Sequence, residues 1–194
     1  MAKPFFKELA GFLTHPKNSF LEKSKTTIGE AMIFGLKGYA LFGLLLSIVI
    51  AIILAMAGQS TLSLIMVPIF LLLIPFFFVG TLLVSLWLHL WAYVFGARNG
   101  LDKTIKATFY SSAPIFALGW IPLASLVAVF WTPILCGMGL KQLQKMSTGR
   151  AAATVIVAIV IPAILIVLAV LALIATLPSI AGLSSSSIAM QNLY

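Results

Sequence analysis

Charged residues are scarce in this sequence, and acidic ones most of all. Charged side chains make up 8% of the 194 residues, and only four residues are Asp or Glu. Soluble domains carry about 25% charged residues, so this chain has too few to cover a surface in water. Hydrophobic residues instead make up 62% of the chain. The composition therefore excludes a water-soluble domain and predicts an integral membrane protein.

Cysteine is nearly absent, and no catalytic set is visible. Cys136 is the single cysteine, which excludes an internal disulfide and a cysteine cluster for a metal. The acidic residues lie outside the long apolar segments, so no carboxylate pair stands at membrane depth for acid–base catalysis. Neither an H-E-x-x-H motif nor a P-loop is present. We therefore expect no enzyme activity, no bound metal and no cofactor. The acidic residues are Glu8, Glu22, Glu30 and Asp102.

Long apolar runs dominate what remains and predict an all-α, polytopic helical membrane protein. The run from residue 62 to 95 is roughly 50 Å long as a helix, more than the ~30 Å of bilayer hydrocarbon. It contains Pro68 and Pro75, so it is either one tilted, kinked helix or two half-length pieces. The run from residue 102 to 140 is too long for one span, and we expect it to break near Pro122.

The basic residues determine the number of spans. The net charge is +8, and the twelve Lys and Arg residues lie in three groups, at positions 3–37, 98–106 and 141–150. Five spans place all three groups on one side of the membrane, which the positive-inside rule identifies as cytoplasmic. The same clustering at segment ends argues against a nucleic-acid partner. We therefore predict a multi-pass protein of the cell membrane with a cytoplasmic N-terminus and an external C-terminus.

The predicted architecture is five transmembrane helices plus an N-terminal amphipathic interfacial helix. The membrane domain covers residues 24–178, with the interfacial helix and turn at residues 1–23 and a polar tail at 179–194. Thr27 and Glu30 have the spacing of a capping box at the start of the first membrane helix. The predicted spans are about residues 36–57, 64–95, 103–118, 122–140 and 151–177.

The N-terminal segment has an amphipathic pattern over residues 3–14, with its aromatic residues on one face. Such a helix either lies in the membrane interface or packs beneath the bundle as a foot. In the interface it would add to the attraction of the basic cytoplasmic face for anionic lipid headgroups. The residues predicted to meet the lipid interface are Lys3, Phe5, Phe6, Lys7 and Phe12.

His89 is the ionisable side chain that lies within an apolar segment of the sequence. It shares one helix face with Ser85 and Tyr93, at i−4 and i+4. A titratable group in hydrocarbon is costly and suggests a site facing protein or water. Near the membrane surface it would instead hydrogen-bond a neighbour or a headgroup. The residues predicted to form the polar site or cavity are His89, Ser85, Tyr93, Thr108, Ser111 and Ser112, with Asp102 and Arg98 at its mouth.

Small and hydroxyl-bearing residues mark the helix faces that we expect to pack against other helices. Thr104, Thr108 and Ser111 share a face of the predicted third span, and such a face is expected to be buried against protein rather than lipid. Gly35, Gly38 and Gly43 lie in the first membrane helix, where small residues let a neighbouring helix approach closely.

Four stretches of the chain resemble the Yip domain family, the Ypt-interacting proteins and their prokaryotic relatives. They are the entry helix with His15–Phe20, the segment Thr27–Glu30, His89 with Phe95, Gly96 and Gly100, and the segment Thr108–Pro114. The resemblance extends over about residues 4–178 and implies a five-span membrane domain with a cytoplasmic N-terminus. Eukaryotic members are associated with Rab-type GTPases and vesicle traffic. They place a long acidic, aromatic region before the domain, which this sequence lacks, so we expect a prokaryotic-type member without a Rab partner.

Two functional hypotheses remain open at this point. The first is a non-enzymatic membrane-organising module that binds lipid or partner proteins, or associates with itself. The second is a small transporter or channel with a polar cytoplasmic-side cavity around His89, because an imidazole titrates near neutral pH. A water-filled cavity that reaches His89 would favour the transporter, and a closed, dry bundle would favour the organising module.

Overall fold

The computed structural model describes the backbone of residues 4–191 and the side chains of residues 4–59 and 61–176. Every regular element within these residues is an α-helix, as the composition predicted. The helices in chain order are α1 (Phe5–Thr14), α2 (Pro16–Lys23), α3 (Ile28–Met56), α4 (Ser60–Val94), α5 (Leu101–Ser111), α6 (Ala113–Leu118), α7 (Ala124–Leu143) and α8 (Thr148–Gln191).

Four helices among the described residues are long and apolar enough to cross a membrane. They are Ile28–Met56, Thr61–Val94, Ala124–Leu143 and Thr148–Thr176. Rows of exposed Leu, Ile and Val side chains along them identify a multi-pass membrane protein in contact with lipid. The predicted third span, residues 103–118, is instead divided between the short helices α5 and α6. Helix length alone therefore does not establish the predicted count of five.

Pro114 divides the predicted third span at a position where no break was predicted. Pro114 has no amide hydrogen, so it cannot donate the bond that would continue α5 into α6, and the break lies at Ser112. By contrast, α4 is one continuous helix of 35 residues with Pro68 and Pro75 inside it, which decides between the two alternatives for this run. Likewise α8 does not end at Pro178 but continues to Gln191, so the predicted polar tail is helical over most of its length.

Helix α3 begins as predicted, and two aromatic rings pack against its glycines. The Thr27 side chain accepts from the Glu30 amide and the Glu30 carboxylate accepts from the Thr27 amide, which confirms the capping box. A side chain at Gly35 or Gly38 would overlap the rings of Phe109 and Phe116. These glycines therefore allow α5 and α6 to lie directly against the α3 backbone.

The chain divides into two compact units, residues 1–155 and residues 156–194. The described part of the first unit contains α1 to α7 and the start of α8, with its core around α5. Every residue of α5 from Thr104 to Ser111 is buried, which confirms that the hydroxyl face of this segment packs against protein. The described part of the second unit is the remainder of α8, and most of its described side chains, up to Thr176, are exposed.

Candidate functional site at the polar end of the bundle

Contacts between distant segments bring the basic parts of the first unit together. Lys106 Nζ donates to the carbonyl oxygens of Ser24 and Thr26 at 3.1 and 2.6 Å, which joins α5 to the α2–α3 turn. Gln144 Nε2 donates to the Gly100 carbonyl at 2.7 Å, which joins the end of α7 to the α4–α5 turn. We call this region the polar end, defined by the α2–α3 turn (residues 24–27), the α4–α5 turn (95–100) and the α7–α8 turn (144–147).

Most basic residues in and beside the polar end face outward. Those that are exposed are Lys17, Lys25, Arg98, Lys141, Lys145 and Arg150. Asp102 of α5 pairs with Lys103 at 3.4 Å, and Glu8 of α1 pairs with Lys23. The result is a surface of predominantly positive charge.

Lys106 is the basic residue of this region that is fully buried, with only 1% of the residue exposed. Its hydrogen bonds to the α2–α3 turn compensate for the loss of water. Sequence reasoning missed this residue because a lysine in a basic cluster is normally solvated, and no pattern marks it as buried.

His89 lies in a hydrogen-bonded chain that spans three helices. Its Nδ1 is 2.8 Å from Thr104 Oγ1 on α5, and the same oxygen accepts from Gln144 Nε2 at 2.9 Å. Gln144 is 3% exposed and its Oε1 accepts from the Asn99 amide at 3.1 Å. Gln144 was not predicted, because within the sequence it looks like one more polar residue of a basic loop.

The predicted polar residues Ser85, Thr108, Ser111 and Ser112 are all buried. Each of their hydroxyls donates to a carbonyl oxygen of its own helix segment, at distances between 2.7 and 3.1 Å. A further buried contact joins the hydroxyls of Tyr39 on α3 and Thr81 on α4. These hydroxyls are therefore satisfied within the protein and do not need water.

Three predicted site residues, Tyr93, Arg98 and Asp102, lie apart from the hydrogen-bonded chain of His89, Thr104 and Gln144. Tyr93 is 56% exposed, and the Arg98 guanidinium sits 4.2 Å from the centre of its ring. Arg98 also donates to the Tyr93 and Ala97 carbonyls, so it closes the end of α4 instead of meeting Asp102.

Among the described residues, no three His, Cys, Asp or Glu side chains come together as a metal site.

The predicted lipid-interface residues separate into exposed and buried ones. Lys3 lies outside the described residues. Phe6 is 67% exposed and Lys7 is also exposed, while Phe5 is half-buried. Phe12 differs from its predicted position, because it is fully buried, stacked on Tyr110 with ring centres 4.8 Å apart. Helix α1 thus packs into the bundle along one edge, as a foot, and presents Phe6 on the other.

Comparison with known families is consistent with this architecture. The family model of the Yip1 domain matches residues 10–171, which is most of the chain and includes every described element except part of α1 and the end of α8. No curated protein and no solved structure matches the chain. On the extent of the domain match, the chain belongs to the Yip1 domain family, as the sequence resemblance predicted.

Proposed function

We propose that this protein is a non-enzymatic membrane-organising module that binds lipid headgroups, or partner proteins, at its polar end. The observation that carries the proposal is the division of its polar groups. The buried hydroxyls of the predicted site, His89 and Gln144 are bonded to each other or to their own helices. The basic residues around them point outward, and they outnumber the acidic residues of these segments. Such a surface suits a negatively charged partner.

The positions of the helix ends support five membrane crossings. Helix α4 ends and α5 begins at the polar end, and α7 also ends there because Gln144 bonds to Gly100. Since α7 runs towards the polar end, α5 and α6 together must carry the chain away from it. The broken pair α5–α6 then counts as the third crossing, and α8 as the fifth. By the positive-inside rule the polar end and the N-terminus are cytoplasmic, and the C-terminus is outside.

Anionic phospholipids of the same membrane are the partner that this surface fits best. Each basic residue near the surface contributes about 1 kcal/mol of attraction, which is about five-fold in association constant. Phe6 and Lys7 on α1 place an exposed aromatic ring next to a positive charge, a combination typical of interfacial helices. Lys17 and Lys25 extend the charge along α2 and the following turn.

The experiment is electron paramagnetic resonance of spin-labelled lipids with the reconstituted full chain. We expect spin-labelled phosphatidylglycerol to be immobilised more than spin-labelled phosphatidylcholine. The double substitution Lys17→Glu with Lys25→Glu should reduce that preference several-fold, because it reverses two surface charges.

The matched control is Lys17→Arg with Lys25→Arg, which keeps both charges and should keep the preference. Equal immobilisation of the two lipids by the wild-type protein would contradict anionic-lipid binding. It would direct the search to protein partners of the same surface.

A further inference from the structure

Gln144 follows the last residue of α7 and joins three parts of the chain through one side chain. Its Oε1 accepts from the Asn99 amide, and its Nε2 donates to the Gly100 carbonyl and to the Thr104 hydroxyl. The two backbone partners fix the orientation of the amide, because a backbone N–H can only donate and a carbonyl can only accept. Both hydrogens of Nε2 are therefore assigned, and the Thr104 oxygen accepts one of them.

This assignment favours one tautomer of His89. Thr104 Oγ1 accepts from Gln144, and the acceptor found within hydrogen-bond distance of the Thr104 hydroxyl is His89 Nδ1, 2.8 Å away. Nδ1 is then an acceptor without a proton, and the neutral imidazole carries its proton on Nε2. The hydrogen bonds run in one direction, from Gln144 through Thr104 to His89.

Protonation of Nδ1 reverses the second of these bonds. The imidazolium donates to the Thr104 oxygen, and the Thr104 hydrogen needs a new acceptor. The usual one on a helix is the carbonyl four residues earlier, as Thr108 demonstrates with the Thr104 carbonyl at 3.0 Å. For Thr104 that carbonyl belongs to Gly100, the N-cap of α5, whose oxygen accepts the first backbone bond of the helix and also the bond from Gln144. These two bonds use both lone pairs of the oxygen, so a proton on His89 sets Thr104 in competition with Gln144 for it.

The turn that Gln144 anchors is under backbone strain. Lys145, the next residue, has a φ of 53°, in the left-handed region. That conformation costs a residue with a side chain about 1 kcal/mol, so it persists where other contacts hold it. Loss of the Gln144 bonds removes the nearest of those contacts and allows the α7–α8 turn to relax.

The charged groups around His89 have partners of their own. Asp102 on α5 is the carboxylate that acts electrostatically on the imidazole, and it pairs with Lys103. Lys106, also on α5, is bound to the α2–α3 turn. Arg98, in the α4–α5 turn, is bound to the end of α4. The residue at the end of α7 that takes part in the hydrogen-bonded chain is the neutral Gln144. The bond to Thr104 is thus the contact that a proton on His89 changes most directly.

We propose that His89, Thr104 and Gln144 form a proton-sensitive latch. While His89 is neutral, the latch holds the α7–α8 turn against the α4–α5 turn, and protonation releases it. The turn carries Lys145 and leads to Arg150, both exposed, so release changes how these basic residues are presented at the polar end. The latch is a property of the fold and is measured without an anionic lipid, so its failure is distinct from failure of the proposed function.

The test is electron paramagnetic resonance of a nitroxide attached at Lys145→Cys in a Cys136→Ala background, with the full chain in phosphatidylcholine nanodiscs. Histidine changes charge between about pH 8 and about pH 5. Over that range we expect the mobile component of the spectrum to increase roughly two-fold or more, as the turn is released.

The two histidines of the chain provide a matched control. His89→Asn keeps an acceptor near the position of Nδ1 but cannot titrate, so it should abolish the pH response. Gln144→Leu removes the anchor and should abolish it as well. His15→Asn should leave it intact, because His15 is exposed and its Nδ1 bonds to the hydroxyl of the adjacent Thr14. A pH-independent spectrum in the labelled parent, or a response that survives His89→Asn, overturns the proposal.

Discussion

The ring of Phe109 lies directly against the backbone of Gly35, in the space that a side chain at that position would occupy. Gly35 belongs to α3 and Phe109 to α5, so this contact sets how closely the buried polar helix approaches the first membrane helix. Gly38 and Phe116 of α6 repeat the arrangement about one turn further along α3. The two pairs hold the broken α5–α6 segment in the centre of the bundle.

Replacing Gly35 by alanine is therefore expected to destabilise the protein. The added methyl group must displace the Phe109 ring, and overpacking of a core costs about 1–3 kcal/mol. Helix propensity alone predicts the opposite sign, since alanine favours a helix over glycine by about 1 kcal/mol. Unfolding in detergent micelles measures the difference. Gly80→Ala on α4 is the control, because an added Cβ there meets nothing within 4 Å. Equal effects at the two glycines would show that close packing is not the cause.

Phe12 and Phe6 of α1 should differ sharply in their contribution to stability. Phe12 is fully buried between Phe20 and Tyr110, so Phe12→Ala should lower the free energy of unfolding by about 3–5 kcal/mol. Phe6 is 67% exposed, so Phe6→Ala should leave that free energy nearly unchanged while weakening contact with the membrane interface. Thermal unfolding in micelles, with interfacial depth measured by lipid-borne quenchers, separates the two effects. A stable Phe12→Ala protein would contradict the packing of α1 as a foot.

The sequence predicted those features that depend on composition or on local pattern. Low charge and long apolar runs identified a helical membrane protein, and Thr27 with Glu30 marked the start of α3 through a contact within one turn. Gly35 and Gly38 indicated close helix packing, although nothing identified phenylalanine rings as the groups that fill the space. The amphipathic pattern of α1 located the helix but left open which surface covers its aromatic face.

The parts that escaped prediction depend on contacts between distant residues. Lys106 and Gln144 are polar residues within basic clusters, and only the meeting of α5 with α7 and with the α2–α3 turn buries them. Periodicity placed His89, Ser85 and Tyr93 on one face of α4, yet Ser85 is buried while Tyr93, near the end of the helix, is exposed. Helical spacing assigns a face, but it does not tell where along the helix the neighbouring helices end.

Liposomes that contain the protein should hold proton and simple-ion gradients as well as protein-free liposomes. Thr104 and Ser85 are fully buried and His89 Nδ1 bonds directly to Thr104, so these polar groups find their partners within the protein. A pH-sensitive dye inside the liposomes measures the flux, with His89→Ala compared in parallel. Fast dissipation by the wild-type protein, altered by His89→Ala, would instead support the transporter hypothesis.

Lys106 should stabilise the protein through the hydrogen bonds that its ammonium group donates. Lys106→Met keeps a long side chain but leaves the carbonyl oxygens of Ser24 and Thr26 without these donors. A hydrogen bond to a charged group contributes about 1.5–3 kcal/mol, so we expect the free energy of unfolding to fall by about that amount. Unfolding in detergent micelles measures the loss. Lys17→Met, at an exposed position, is the control and should leave the free energy of unfolding nearly unchanged. Equal free energies of unfolding for the wild-type protein and Lys106→Met would mean that these hydrogen bonds contribute nothing to stability.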